Sequence, residues 1–196
     1  MKKILLSMIT ASVFSGGVMA SDTRETATFA GGCFWCMEAE FAGIEGVSKV
    51  VSGYTGGHVD DPTYEQVSSG GTGHLEAIEV TYDPAQVSYE KLLEIFWDNI
   101  DPTDADGQFC DKGSQYRAAI FTHNAKQKTM AEQTLAKVQQ RFTRPVATLI
   151  RDAEKFWNAE DYHQQYYIKA KDRYKRYRQG CGRDARLEEL KSEKAQ

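Results

Sequence analysis

Cysteine is scarce: the chain has four in 196 residues, too few for a scaffold stapled together by disulfides. Lysine and arginine form no block and the net charge is −4, so nucleic acid is not an expected partner. The basic stretch from Lys169 to Arg178 is interleaved with tyrosines and reads as one face of a helix. No linker and no internal repeat interrupts the chain, and its length suits a single domain with a full-sized core. A second Cys-x-x-Cys pair is missing, which leaves Cys33 and Cys36 without the partners of a zinc site. Asp104-Ala105-Asp106-Gly107 is no calcium loop, because aligning Gly107 puts Pro102 and Gly113 at the first and last ligand positions. The turn Gly70-Gly71-Thr72-Gly73 is not followed by Lys-Ser/Thr, so it is not a phosphate cradle. No metal and no other cofactor is expected.

What is present begins with a targeting segment. Lys2 and Lys3 precede a mostly apolar stretch, Ile4 to Val18, which ends in Val18-Met19-Ala20 before polar Ser21. That is the layout of a secretory signal peptide over residues 1–20, its apolar part too short to span a bilayer comfortably. Residues 21–196 then form the mature domain, periplasmic or secreted, with no stable membrane insertion after cleavage. All four cysteines lie in that part, in a compartment where thiols oxidise unless something reduces them.

Alternation predicts strands at Thr26 to Ala30, Gly46 to Gly53, Leu75 to Tyr82, Tyr116 to Thr122 and Val146 to Ile150. Helical spacing predicts helices from about Cys33 to Ala42, at Pro62 to Val67, Ser88 to Asn99 and Ala125 to Phe142, and over part of Asn158 to Tyr177. Residues 101–115 read as an Asp/Gly-rich loop, and the charged tail after Gly182 as frayed. This order indicates one mixed α/β or α+β domain and leaves strand order open.

The chemistry concentrates at Gly31-Gly32-Cys33-Phe34-Trp35-Cys36. A cysteine at a helix start faces unpaired N–H groups and the positive end of the dipole, which favour the thiolate. The same spacing also suits a Cys33–Cys36 disulfide, two buried thiols, or a secreted thiol–disulfide oxidoreductase. Glu76 shares a strand face with Ile78, Val80 and Tyr82. A carboxyl in apolar company keeps its proton to higher pH and can act as an acid. Asp111 and Tyr116 add a loop carboxylate and a hydroxyl, and a fourth cluster runs from Glu160 to Tyr167.

Together these pieces resemble the peptide-methionine sulfoxide reductases of the A type. The matching motifs are Gly32-Cys33-Phe34-Trp35, Gly53-Tyr54-Thr55-Gly56-Gly57, Pro62-Thr63-Tyr64, Thr72-Gly73-His74-Leu75-Glu76, Tyr82-Asp83-Pro84, Gln115-Tyr116-Arg117 and His163-Gln164-Gln165-Tyr166. The resemblance implies an α+β fold: a two-layer α/β sandwich, ferredoxin-like, with extended loops and a C-terminal tail. It implies reduction of methionine S-sulfoxide, free or in oxidised proteins, by a monomer recycled by a thioredoxin-like dithiol. Cys33 is then similar to the nucleophile, Glu76 to the proton donor, Tyr64 and Tyr116 to hydroxyls on the sulfoxide oxygen, and Asp111 to the loop carboxylate. Phe34 and Trp35 resemble the pocket for the methyl group, flanked by Tyr166. A second cysteine must resolve the sulfenic acid formed on Cys33. Cys181 is the expected one, since Gly180 and Gly182 let its segment swing, with Cys36 and Cys110 as alternatives.

Overall fold

A computed structural model describes residues 23–193; the expected signal peptide lies outside the described residues. Strand β1 (Glu25–Ala30) runs into the Gly31-Gly32 turn and helix α1 (Phe34–Phe41), followed by β2 (Val47–Thr55), α2 (Tyr64–Ser68), β3 (Leu75–Tyr82) and α3 (Tyr89–Asp98). A hairpin of β4 (Gly107–Gln108) and β5 (Asp111–Lys112) leads through a 3₁₀ turn, Ser114–Tyr116, to β6 (Ala119–Thr122). Then come α4 (Ala125–Gln139), β7 (Leu149–Asp152), β8 (Trp157–Asn158), α5 (Tyr166–Lys169), α6 (Lys171–Gly180) and α7 (Arg183–Glu193). Helix starts are marked by side-chain caps that satisfy first-turn N–H groups. Thr63 and Gln66 form a capping box at α2, and Ser88 and Asn124 accept from Lys91 and Gln127 at α3 and α4.

The main sheet has the order β7-β6-β1-β3-β2-β8. Its middle four strands are antiparallel in the order β6-β1-β3-β2. With α1 after β1 and α3 after β3, that is the ferredoxin-like arrangement. Strand β7 extends one edge in parallel to β6, and β8 extends the other antiparallel to β2. One sheet face, carrying Phe29, Tyr54, Ile78, Val80 and Ile120, packs on Met37 and Phe41 of α1 and on Leu92, Leu93 and Phe96 of α3. Glu76 belongs to this helix-covered side, in the same alternating row as Ile78, Val80 and Tyr82, and is 2% exposed. Among the described residues no helix is long and apolar enough to cross a membrane.

Two local expectations change, while the part-helical reading of Asn158 to Tyr177 is sharpened. Tyr116 sits in the 3₁₀ turn rather than in a strand, because Gly113 at φ 130° redirects the chain before β6 begins at Ala119. The stretch after Asn158 stays irregular until Tyr166, and Gln165 takes a left-handed φ of 54° just before that helix starts. The tail after Gly182 is not frayed: it forms α7, which buries Arg183, Leu187 and Leu190.

Candidate active site

Cys33 occupies the N-cap of α1, 5% exposed, directly after the Gly31-Gly32 turn. Gly32 has φ +80°, and a Cβ there would lie 2.6 Å from Gln108. The turn therefore requires glycine both for its left-handed backbone and for lack of room. The Phe34 N–H, one of the unpaired donors of the first turn, donates to Glu76 Oε2 at 3.1 Å. This bond ties the helix start to strand β3 and holds the Glu76 carboxyl beside the Gly31-Gly32-Cys33 turn.

Cys33, Phe34, Trp35, Tyr64, Glu76, Asp111, Tyr116 and Tyr177 line one small pocket of about 50 Å³. Every predicted catalytic side chain thus reaches the same cavity, from five separate stretches of chain. Tyr166 lies one layer behind, stacked on Trp35 with ring centroids 3.9 Å apart. Trp35 is further fixed by its indole N–H, which donates to His163 Nδ1 at 3.0 Å. Glu160 accepts from the Tyr54 hydroxyl and from the Tyr64 N–H, both at 2.8 Å, and so sets the position of Tyr64.

Burial pushes the Glu76 carboxyl up to about 8, opposed by the Phe34 N–H and reinforced by the charges of Asp111 and Cys36. Glu76 is therefore a carboxylic acid at neutral pH. The Tyr64 hydroxyl is pushed up to about 12 and that of Tyr116 higher, mainly by burial, so both present O–H donors to the cavity. His163 is driven toward its neutral form by burial.

The thiols depart from the sequence expectation. Burial, then the hydrogen bond and charge of Cys36, then the charge of Glu76 push the Cys33 thiol up. Cys36, accepting that hydrogen bond, is pulled down to about 7. The two neighbouring thiols titrate together, with Cys36 ionising ahead of Cys33. The short helix dipole does not offset the loss of water around Cys33.

Cys33 and Cys36 are both free, which removes the Cys33–Cys36 disulfide from the alternatives in this state. Cys181 is bonded to Cys110. The disulfide borders the pocket: Cys181 Sγ lies 4.0 Å from Asp111 Oδ2, and Asp111 accepts a short hydrogen bond from the Tyr177 hydroxyl. Tyr177 and Cys33 both line the pocket. Cys110, Asp111 and Cys181 cluster closely enough to suit a metal ion, but two of those ligands are consumed in the disulfide. Tyr177, Glu160 and His163 were not assigned roles from sequence. Tyr177 stands in a stretch whose tyrosines look like one side of an ordinary helix, and nothing in the spacing reveals that α6 packs across α1.

The family profile described as peptide methionine sulfoxide reductase matches residues 25–195. The chain is 54% identical over 171 residues to the peptide methionine sulfoxide reductase MsrA of Bacillus velezensis, across 86% of this chain and 97% of that one. Among solved structures, reduced Mxr1 of Saccharomyces cerevisiae aligns with a TM-score of 0.71 at 28% identity, over 75% of this chain and 86% of that one. Methionine sulfoxide reductase A of Corynebacterium diphtheriae aligns at 0.68 and 33% identity, over 76% of each chain.

Proposed function

The chain belongs to the peptide methionine sulfoxide reductase family, and from that premise we propose how its own residues reduce methionine sulfoxide and how they are recycled. The observation that carries the reading is a buried carboxyl, Glu76, facing the same cavity as the Cys33 thiol, where burial raises its pKa. Oxide is a poor leaving group, so the sulfoxide oxygen must be protonated as its sulfur is attacked. Glu76 gives that proton, and the hydroxyls of Tyr64 and Tyr116 donate to the same oxygen. Phe34 and Trp35 enclose the methyl group, with Tyr166 backing the indole. Cys36 takes the Cys33 proton, so that the attacking sulfur becomes a thiolate only as substrate enters. The oxygen ends on Cys33 as a sulfenic acid and methionine is released.

The next steps restore Cys33. The Cys181 thiol condenses with the sulfenic acid, releasing water and forming a Cys33–Cys181 disulfide. Cys110 then attacks Cys181, frees Cys33, and leaves a Cys110–Cys181 disulfide. That bond, with Cys33 free, is the pairing found here. An external dithiol of the thioredoxin kind reduces it by exchange. A second reading is favoured by the hydrogen bond between Cys33 and Cys36, which puts Cys36 within reach as a direct resolver. Location outside the cytoplasm, as a monomer, completes the proposal. The leader-like residues 1–20 support export.

Two measurements test this. A peptide carrying separated sulfoxide epimers should be converted only in the S form; conversion of the R form, or of neither, rejects the reading. Cys181→Ser, reduced beforehand, should complete one stoichiometric turnover and then stop with a dithiol protein. If that variant cycles normally while Cys36→Ser halts after one turnover, Cys36 is the resolving residue instead.

A further inference from the structure

Arg183 is the largest fully buried side chain among the described residues, at 1% exposure. It opens α7 and reaches back behind the nucleophile turn. Its Nη2 donates to the Asn99 carbonyl at 2.6 Å and to Met37 Sδ at 3.3 Å, and both Nη atoms lie 3.4 Å from the Gly31 carbonyl. The guanidinium stacks over Phe109, 4.5 Å from the ring centre, and its Nε is buried without a partner. Arginine cannot give up its charge in a protein. Among the described residues no carboxylate forms an ion pair with it.

Arg178 on the neighbouring helix is the contrast. It pairs with Glu40 at 2.6 Å and with Asp184 at 2.7 Å, so its charge is matched on its own surface. An unmatched buried cation costs several kcal/mol or more unless an anion lies close by. Gly31 and Met37, the two sides of the Arg183 cradle, flank the Cys33–Cys36 turn in sequence.

We propose that Arg183 is a positioning residue whose fixed positive charge, buried behind the Gly31-Gly32 turn, steadies a thiolate on the Cys33–Cys36 pair. The proposal rests on Cys33 as the nucleophile, and extends that reading to a residue in the C-terminal helix. The other groups facing the pair do not replace it. Glu76 opposes ionisation of Cys33 when charged, and Tyr174, which hydrogen-bonds Cys36, carries no charge. Arg178 favours the anion, yet shares its charge with two carboxylates. The attraction of Arg183 also acts on Asp111, the second anion within its range.

The test is the pH profile of iodoacetamide alkylation at Cys33 and Cys36, mapped by mass spectrometry, which needs no sulfoxide reduction. With Cys110 and Cys181 oxidised, only the two active-site thiols react. Arg183→Met should slow alkylation at pH 7 by roughly tenfold or more, as a rise of one unit in the apparent pKa requires, while Arg183→Lys stays near the wild type. Superimposable profiles for Arg183→Met and the parent, or an equal loss in Arg183→Lys, overturn the proposal. A denaturant-midpoint cycle covers the case of poor folding. Arg183→Met should be far better tolerated in a Cys33→Ser/Cys36→Ser chain, where the anion is gone. An equal penalty in both backgrounds, or failure to fold in both, overturns the proposal.

Discussion

Replacing Cys33 with serine is expected to abolish methionine sulfoxide reduction, a loss of roughly 10⁴-fold or more, while the fold persists. The substitution is nearly isosteric at a site 5% exposed, and Cys33 contributes no side-chain cap to α1, so little structure depends on the sulfur. Chemistry depends on it wholly, since an alcohol at this position has neither the nucleophilicity nor a stable oxidised form to hold the oxygen. The measurement is single-turnover conversion of an S-sulfoxide peptide, with circular dichroism to verify folding. A residual rate near that of the parent would remove the foundation of the proposed function. Cys33→Ala, which unlike serine keeps no donor, should also shift Cys36, because the hydrogen bond from Cys33 is the largest cause of its lowered pKa. Alkylation of Cys36 should then require higher pH.

Glu76→Gln is expected to reduce the rate by about 10²–10⁴-fold, the usual worth of a positioned general acid. The pH dependence gives the sharper signature. Glu76 acts in its protonated form and holds the proton up to about 8. Wild-type activity should therefore fall as pH rises through about 8, and the residual activity of Glu76→Gln should lack that limb. Stability should move the other way. Glu76 has a folded pKa raised from 4.5 to about 8, so the unfolded chain releases its proton first as pH rises. Its contribution is neutral below about 4.5 and increasingly unfavourable from there to about 8. At pH 7 the variant should thus be more stable than the parent, by on the order of 3 kcal/mol, measured by denaturant unfolding. Glutamine retains an oxygen to accept the Phe34 N–H. A variant that is both slow and less stable would mean that the carboxyl serves the fold rather than the reaction.

Sheet and site were legible to different degrees. Strand β3 shows its two faces in plain alternation, which places Glu76 on the apolar row. Helix α1 starts where the glycine turn ends, as the Gly31-Gly32-Cys33 sequence indicates. Tyr116 was misplaced in a strand because the redirecting φ of Gly113 has no periodic signature. Helix α7 was missed because its charged residues outnumber the few that are buried, Arg183, Leu187 and Leu190. A buried arginine looks like any surface arginine in a sequence.

The residues alone determined the alternation of strands and helices, the reactive turn at Cys33 and the pool of acids, hydroxyls and cysteines available to it, because each is written in local spacing and side-chain chemistry. Only the folded chain decided which of these meet and which cysteines pair. Those outcomes depend on loss of water and on contacts between segments far apart in sequence, with Cys110 and Cys181 separated by 71 positions. Burial reversed the order that a helix dipole alone would give to Cys33 and Cys36, and no pattern along the chain records burial of that kind.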